Sequence, residues 1–262
     1  MRSIALVTIA ATILLLSLWI PTDSIAGAAE QQVCDVSADY SLGAEDYSEA
    51  IRRHVEVVRQ HPGNALAQYH LGFALGMLGD RKAEVRDYQR AKALGLRNWD
   101  LLLNLGLAQM ETGDLNAATE SMRQAVHFGG DHSESHFNLA LVEERLGLLA
   151  DAEHETLASL QLGPGQPDAR NLLGVIYAQQ GRTARASQVW HELVRDVPDY
   201  EPARTNLSFL SSRSEVPNGE MAAVALPIPV AAVTAMKDEH KTSLARMQHT
   251  AESETNEISG GK

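Results

Sequence analysis

The stretch NLGLAQMETGDLNAA, residues 104–118, decides how this chain is read. It sets Gly106 and Gly113 seven residues apart inside sequence otherwise rich in helix formers. A glycine within a helix costs about 0.5–1 kcal/mol relative to alanine, so two of them need a reason. Working outward, comparable stretches recur. QYHLGFALGMLGD begins at Gln68, LLNLGLAQMETGD at Leu102, HFNLALVEERLGL at His136 and RNLLGVIYAQQGR at Arg170, each start 34 residues after the last. The register also holds across Leu71, Leu105, Leu139, Leu173 and Leu207 without an insertion. A fixed period of this length marks a stack of helical repeats.

The period explains both glycines. Gly72, Gly106, Ala140, Gly174 and Ser208 share one position in the first helix of each unit. A small residue there lets the second helix approach closely, so packing recovers what propensity loses. Gly79, Gly113, Gly147 and Gly181 stand seven residues later, where the first helix must stop. Glycine takes the left-handed C-terminal conformation without steric cost. Asp80 and Asp114 follow directly and are placed to cap the next helix. In the second helix, Ala50, Ala118, Ala152 and Ala186 share a position that Glu84 breaks. Val57, Ala91, Ala125, Ser159 and Leu193 align on the same face, with His54, Tyr88, Met122, Thr156 and Trp190 between them. Pro62, Pro164 and Pro198 close three units, because proline cannot continue a helix.

These residues resemble the tetratricopeptide-repeat family, whose pattern runs aromatic, Leu-Gly, Tyr, Gly, Ala, aromatic, Ala, Pro. The fullest match is Leu173-Gly174, Tyr177, Gly181, Ala186, Trp190 and Pro198. The resemblance covers about residues 31–213, with units at 31–64, 65–98, 99–132, 133–166 and 167–200 and a capping helix over 201–213. It implies an all-α fold, a right-handed α-solenoid of about five stacked helix–turn–helix repeats plus the cap. The first unit opens on a degenerate helix around CDVSADYSLG, Glu84 takes a usually small site and Thr156 a usually aromatic one.

Outside the repeats the chain changes character. Arg2 precedes IALVTIAATILLLSLWI, residues 4–20, then Pro21 and the A-x-A site Ala26-Gly27-Ala28. That order is a secretory signal over residues 1–28, the alternative being an uncleaved inner-membrane tether through residues 4–20. Either way the remainder is expected to be exported, to the periplasm of a Gram-negative bacterium. Cys34 is the sole cysteine, so no disulfide within the chain can form; it reads as an inert buried thiol. Residues 214–262 read as a flexible tail, in which MAAVALPIPVAAVTAM (221–236) is a spacer or a plug for the chain's own groove.

With 34 Asp+Glu against 22 Lys+Arg, the chain lacks the basic surface that nucleic acid requires. No G-x-S-x-G, phosphate-cradling glycine loop or H-E-x-x-H occurs, so no enzyme and no cofactor are expected. His127, Asp131, His132 and His136 offer a metal-responsive reading, with His132 and His136 four apart, but they read first as solvated turn residues. The resemblance places function in the concave groove, where partner peptides of this family bind. Two positions per first helix point there: Tyr69 and Phe73, Leu103 and Leu107, Phe137 and Leu141, Asn171 and Val175, Thr205 and Phe209. Such an apolar stripe suits an amphipathic helix or an extended hydrophobic peptide. Asn104, Asn138 and Asn206 share a neighbouring position, which in some members forms an asparagine ladder holding a peptide backbone. Tyr69 and Phe73 stand where the carboxylate-binding members carry polar groups, which disfavours a chaperone tail. The expected activity is that of a non-catalytic adaptor or scaffold of the cell envelope for other proteins, the alternative being self-association into a scaffold.

Overall fold

The computed structural model describes residues 35–214. Residues 1–34, with the apolar segment and Cys34, and the tail from 215 onward lie outside the described residues. Those described form eleven helices and no strand. They are α1 (Val36–Gly43), α2 (Tyr47–Gln60), α3 (Ala65–Met77), α4 (Arg81–Ala93), α5 (Trp99–Glu111), α6 (Leu115–Phe128), α7 (Ser133–Arg145), α8 (Leu149–Leu162), α9 (Pro167–Gln179), α10 (Thr183–Asp196) and α11 (Glu201–Ser214). None of them is long and apolar enough to cross a membrane.

The turns within repeats are one structure made repeatedly. Gly79, Gly113, Gly147 and Gly181 have φ of 89°, 86°, 74° and 76°, the left-handed region. Gly79 N–H donates to Gly76 O and Asp80 N–H to Leu75 O, at 2.9 and 3.0 Å. The same pair of bonds recurs from Gly113 and Asp114, Gly147 and Leu148, and Gly181 and Arg182. This is the Schellman closure, which satisfies the carbonyls that the helix end leaves open. The first repeat makes the same turn without glycine: Glu45 holds φ 60°. Past the turn, the carboxylates of Asp46, Asp80 and Asp114 accept from the N–H three residues on. Leu148 and Arg182 occupy those places ahead of α8 and α10 and form no side-chain cap.

Packing within a repeat follows a volume rule. A Cβ on Gly72 would stand 2.9 Å from the Tyr88 ring, and one on Gly106 2.7 Å from Met122 Cγ. A Cβ on Gly174 would strike the indole of Trp190. Where the position is alanine, at Ala140, the facing residue is the small Thr156, whose hydroxyl turns back to Ala152 O at 2.6 Å. The departure at Glu84 is compensated in the same way. Its carboxylate lies against Gly76, in space that a side chain there would fill, and pairs with Arg81 at 2.8 Å.

Each pair of helices packs on the next pair in chain order. The first helices of neighbouring repeats, α1 with α3, α5 with α7, α7 with α9 and α9 with α11, also touch one another directly, and the second helices show no comparable pairing. The stack is therefore a solenoid bent with the first helices inside. Its core runs as three apolar clusters along the stack.

Candidate functional site

The inner face is built by α3, α5, α7, α9 and α11. The outer helices are amphipathic: α10 buries Ala186, Trp190 and Leu193 along one stripe and leaves the rest exposed or half-buried. The inner helices differ. In α5 every residue from Leu101 to Met110 is buried. Tyr69, Phe73, Leu103, Asn104, Leu107, Phe137, Asn138, Leu141, Asn171, Val175 and Asn206 are all buried as well, and of the twelve sequence-predicted groove residues only Phe209, 37% exposed, reaches solvent substantially. Tyr69 and Phe73 join the core cluster around Tyr88, and Leu103, Leu107, Phe137 and Leu141 join the next one. Side chains expected to line an open trough thus take part in the packing between repeats. Exposure depends on every layer packed over a residue, which a repeat register does not encode.

The asparagines have described roles in the stack. Asn104 Nδ2 donates to the Tyr69 hydroxyl at 2.8 Å, and Asn206 Nδ2 to Asn171 Oδ1 at 2.9 Å. Both bonds join neighbouring first helices through residues 35 apart. Asn138 has Leu103 in the corresponding place and donates instead to Glu134 O on its own helix. A buried amide needs such partners, because an unpaired one loses its hydration for nothing.

The histidines of the 127–136 segment do not converge. His132 stacks on Trp99 with ring centroids 4.0 Å apart, and His127 meets Phe128 edge-on. His136 Nδ1 lies 2.6 Å from Glu155. Beside that pair is a depression of about 310 Å³, lined in part by Arg123, Glu143 and His154. Burial raises the Glu143 carboxyl above its ordinary range, opposed by Arg123 at 2.9 Å. Arg123 with Glu143 and His136 with Glu155 tie α6 to α7 and α7 to α8.

Residues 103–167 match the tetratricopeptide repeat. No curated protein matches the chain. Among solved structures, YrrB, "a TPR protein with an unusual peptide-binding site", is 20% identical, with a TM-score of 0.64 over 71% of this chain and 97% of its own. MamA is 16% identical, with a TM-score of 0.57 over 75% of this chain and all of its own (100%). MamA from residue 41 to its end, from Desulfovibrio magneticus RS-1, is 15% identical, with a TM-score of 0.58 over 64% and 93% of the two chains. At these identities the likeness is one of fold.

The chain folds as an all-α solenoid of tetratricopeptide-type repeats.

The junction of the first two repeats carries a constellation that the repeat pattern does not single out. Asp39 on α1, His54 on α2 and His70 on α3 bring one ligand atom each to within 4.8 Å of one another. His70 Nδ1 is 2.8 Å from Asp39 Oδ1, and His54 Nε2 is 3.7 Å from the same oxygen. The His54 and His70 rings meet edge to face, their centroids 5.3 Å apart. His54 is fully buried, and neither of its ring nitrogens has a hydrogen-bond partner. Burial, reinforced by His70, pushes its imidazole down to about 4, against the pull of Asp39 and Asp35. The ring is therefore neutral at neutral pH. Nothing local flags this group, because Asp39 and His70 are 31 residues apart. The available signal is a departure from register. Asp39 takes the place of Phe73, Leu107, Leu141 and Val175; His54 that of Tyr88, Met122, Thr156 and Trp190; His70 that of Asn104, Asn138, Leu172 and Asn206.

Proposed function

We propose that this protein is an exported, non-catalytic scaffold of the bacterial cell envelope that holds a peptide or helix of another protein along its inner face. The observation that supports the reading is the unbroken alignment of five inner helices, starting at residues 65, 99, 133, 167 and 201. Their common 34-residue register sets equivalent inner-face positions at every step, a track that an extended or helical partner segment would follow. Export rests on the charge, apolar run and A-x-A site of residues 1–28, and the apolar run at residues 4–20 would tether the scaffold if it is retained.

The test is crosslinking in the native envelope, with the crosslinked residues mapped by mass spectrometry. The expected result is a recovered polypeptide joined to α3, α5, α7 or α9. Recovery of partners joined only to the outer helices would overturn the proposal. A second reading, self-association, is favoured by the ends of the stack. Val36 and Tyr40, 77% and 69% exposed on one face of α1, and Phe209 on α11 leave apolar side chains open at both termini. Light scattering over a concentration series separates the two: a self-assembling scaffold grows in mass with concentration, and a scaffold for foreign clients keeps one mass.

A further inference from the structure

We propose that Asp39, His54 and His70 form a binding site for a divalent first-row transition-metal ion at the junction of the first two repeats. Two imidazoles and one carboxylate are a donor set that such ions take as three protein ligands, with water completing the shell. Metal–ligand bonds of about 2.0–2.1 Å place two ligand atoms on a tetrahedral ion about 3.3 Å apart. The separations from Asp39 Oδ1, 2.8 Å to His70 and 3.7 Å to His54, straddle that value, and all three ligand atoms fit within 4.8 Å. Small side-chain rotations therefore complete the site, with no movement of the helices.

Two further observations point the same way. His54 is buried with both ring nitrogens unpartnered, a condition that native interiors avoid and that coordination of Nε2 relieves at that nitrogen. Its Nε2 stands 3.7 Å from the Asp39 carboxylate and its ring meets the His70 ring edge to face, so the nitrogen already borders the cluster. On binding, the ion takes the place of the proton shared between His70 Nδ1 and Asp39, and the His70 proton moves to Nε2. The change is an exchange of one proton position, with no redox step.

The register gives the argument its contrast. At the same three positions the later junctions carry Phe73, Tyr88 and Asn104; Leu107, Met122 and Asn138; Leu141, Thr156 and Leu172; and Val175, Trp190 and Asn206. No one of those sets supplies a carboxylate or an imidazole. All three positions turn to ligand types together, and only at the first junction.

The test uses the full, untagged chain stripped with a chelator, with zinc chloride as the sole added probe. Calorimetry is expected to show one equivalent of Zn²⁺ bound and thermal melting a rise in Tm, and Co²⁺ in its place is expected to give visible d–d absorption. His54→Leu, His70→Asn and Asp39→Asn should each weaken Zn²⁺ binding by at least roughly 100-fold, more than the loss of an outer-shell partner costs. A double variant, His132→Asn with His136→Asn, should bind like the parent. If His54→Leu fails to fold, the other two single variants decide the matter, since Asp39→Asn is isosteric and His70→Asn supplies the residue that Asn104, Asn138 and Asn206 carry at the same register position. The proposal is overturned if the parent chain takes up no Zn²⁺, if the single variants bind as the parent does, or if the His132/His136 double variant is the one that loses the metal.

Discussion

The two ends of the stack solve the same packing problem with opposite chemistry. At the last junction, Val175, Trp190 and Asn206 meet over Gly174. Trp190 is fully buried, its Nε1–H donates to Asn171 O at 3.4 Å, and Asn206 donates to the Asn171 side chain. Polar atoms there have partners and the bulk is hydrophobic. At the first junction the equivalent places hold Asp39, His54 and His70, and His54 is buried without a hydrogen bond. A repeat register thus fixes where a side chain sits and leaves open what it does there. One position can be a packing residue in four repeats and a ligand in the fifth.

The contrast can be broken most severely at its hydrophobic end. Trp190→Ala should cost about 3–5 kcal/mol, the loss of a fully buried aromatic with the cavity it leaves. The denaturation midpoint would show it, and a loss under 1 kcal/mol would mean that Gly174 and its neighbours collapse into the space. The polar end should reveal itself through pH. The folded His54 imidazole lies near 4 against about 6.5 unfolded, so the native state binds fewer protons. Its contribution is present above pH 6.5 and is lost as pH falls toward 4, on the order of 3 kcal/mol in the metal-free chain. Urea midpoints measured across that window should fall for the parent and stay flatter for His54→Leu. The smallest effect concerns the turns. Asp114→Ala should cost about 1 kcal/mol by removing the cap on Ala117 N–H, whereas Leu148→Asp should add about 0.5 kcal/mol by supplying one that the fourth repeat lacks. Responses of opposite sign would show that neighbouring repeats differ in capping while sharing one register.

The fold was legible because its determinants are local and periodic. The glycines read as turns have positive φ, and those read as packing sites are in fact pressed against Tyr88, Met122 and Trp190. Glu84 and Thr156 look like defects in the pattern until their neighbours are seen: Gly76 makes room for the one, and Ala140 matches the size of the other. The site was less legible. Asn104 and Asn206 stand where an asparagine ladder would hold a peptide backbone, and their amides join one repeat to the next. The apolar character of the inner-helix residues is plain in the register, whereas their burial is a sum over all layers that the register does not encode. His54 was read as one more bulky packing residue. Its partners come from two other helices, and no spacing along the chain announces them.

Glu45 carries the corner between α1 and α2 in a conformation that other repeats reserve for glycine. The eight-residue α1 therefore hangs from the least comfortable joint among the described residues. In amide exchange the segment from 36 to 44 should open ahead of its neighbours. Asp39 travels with it, so a passing ion would find its door at the joint most ready to swing, and once seated would bolt that door shut.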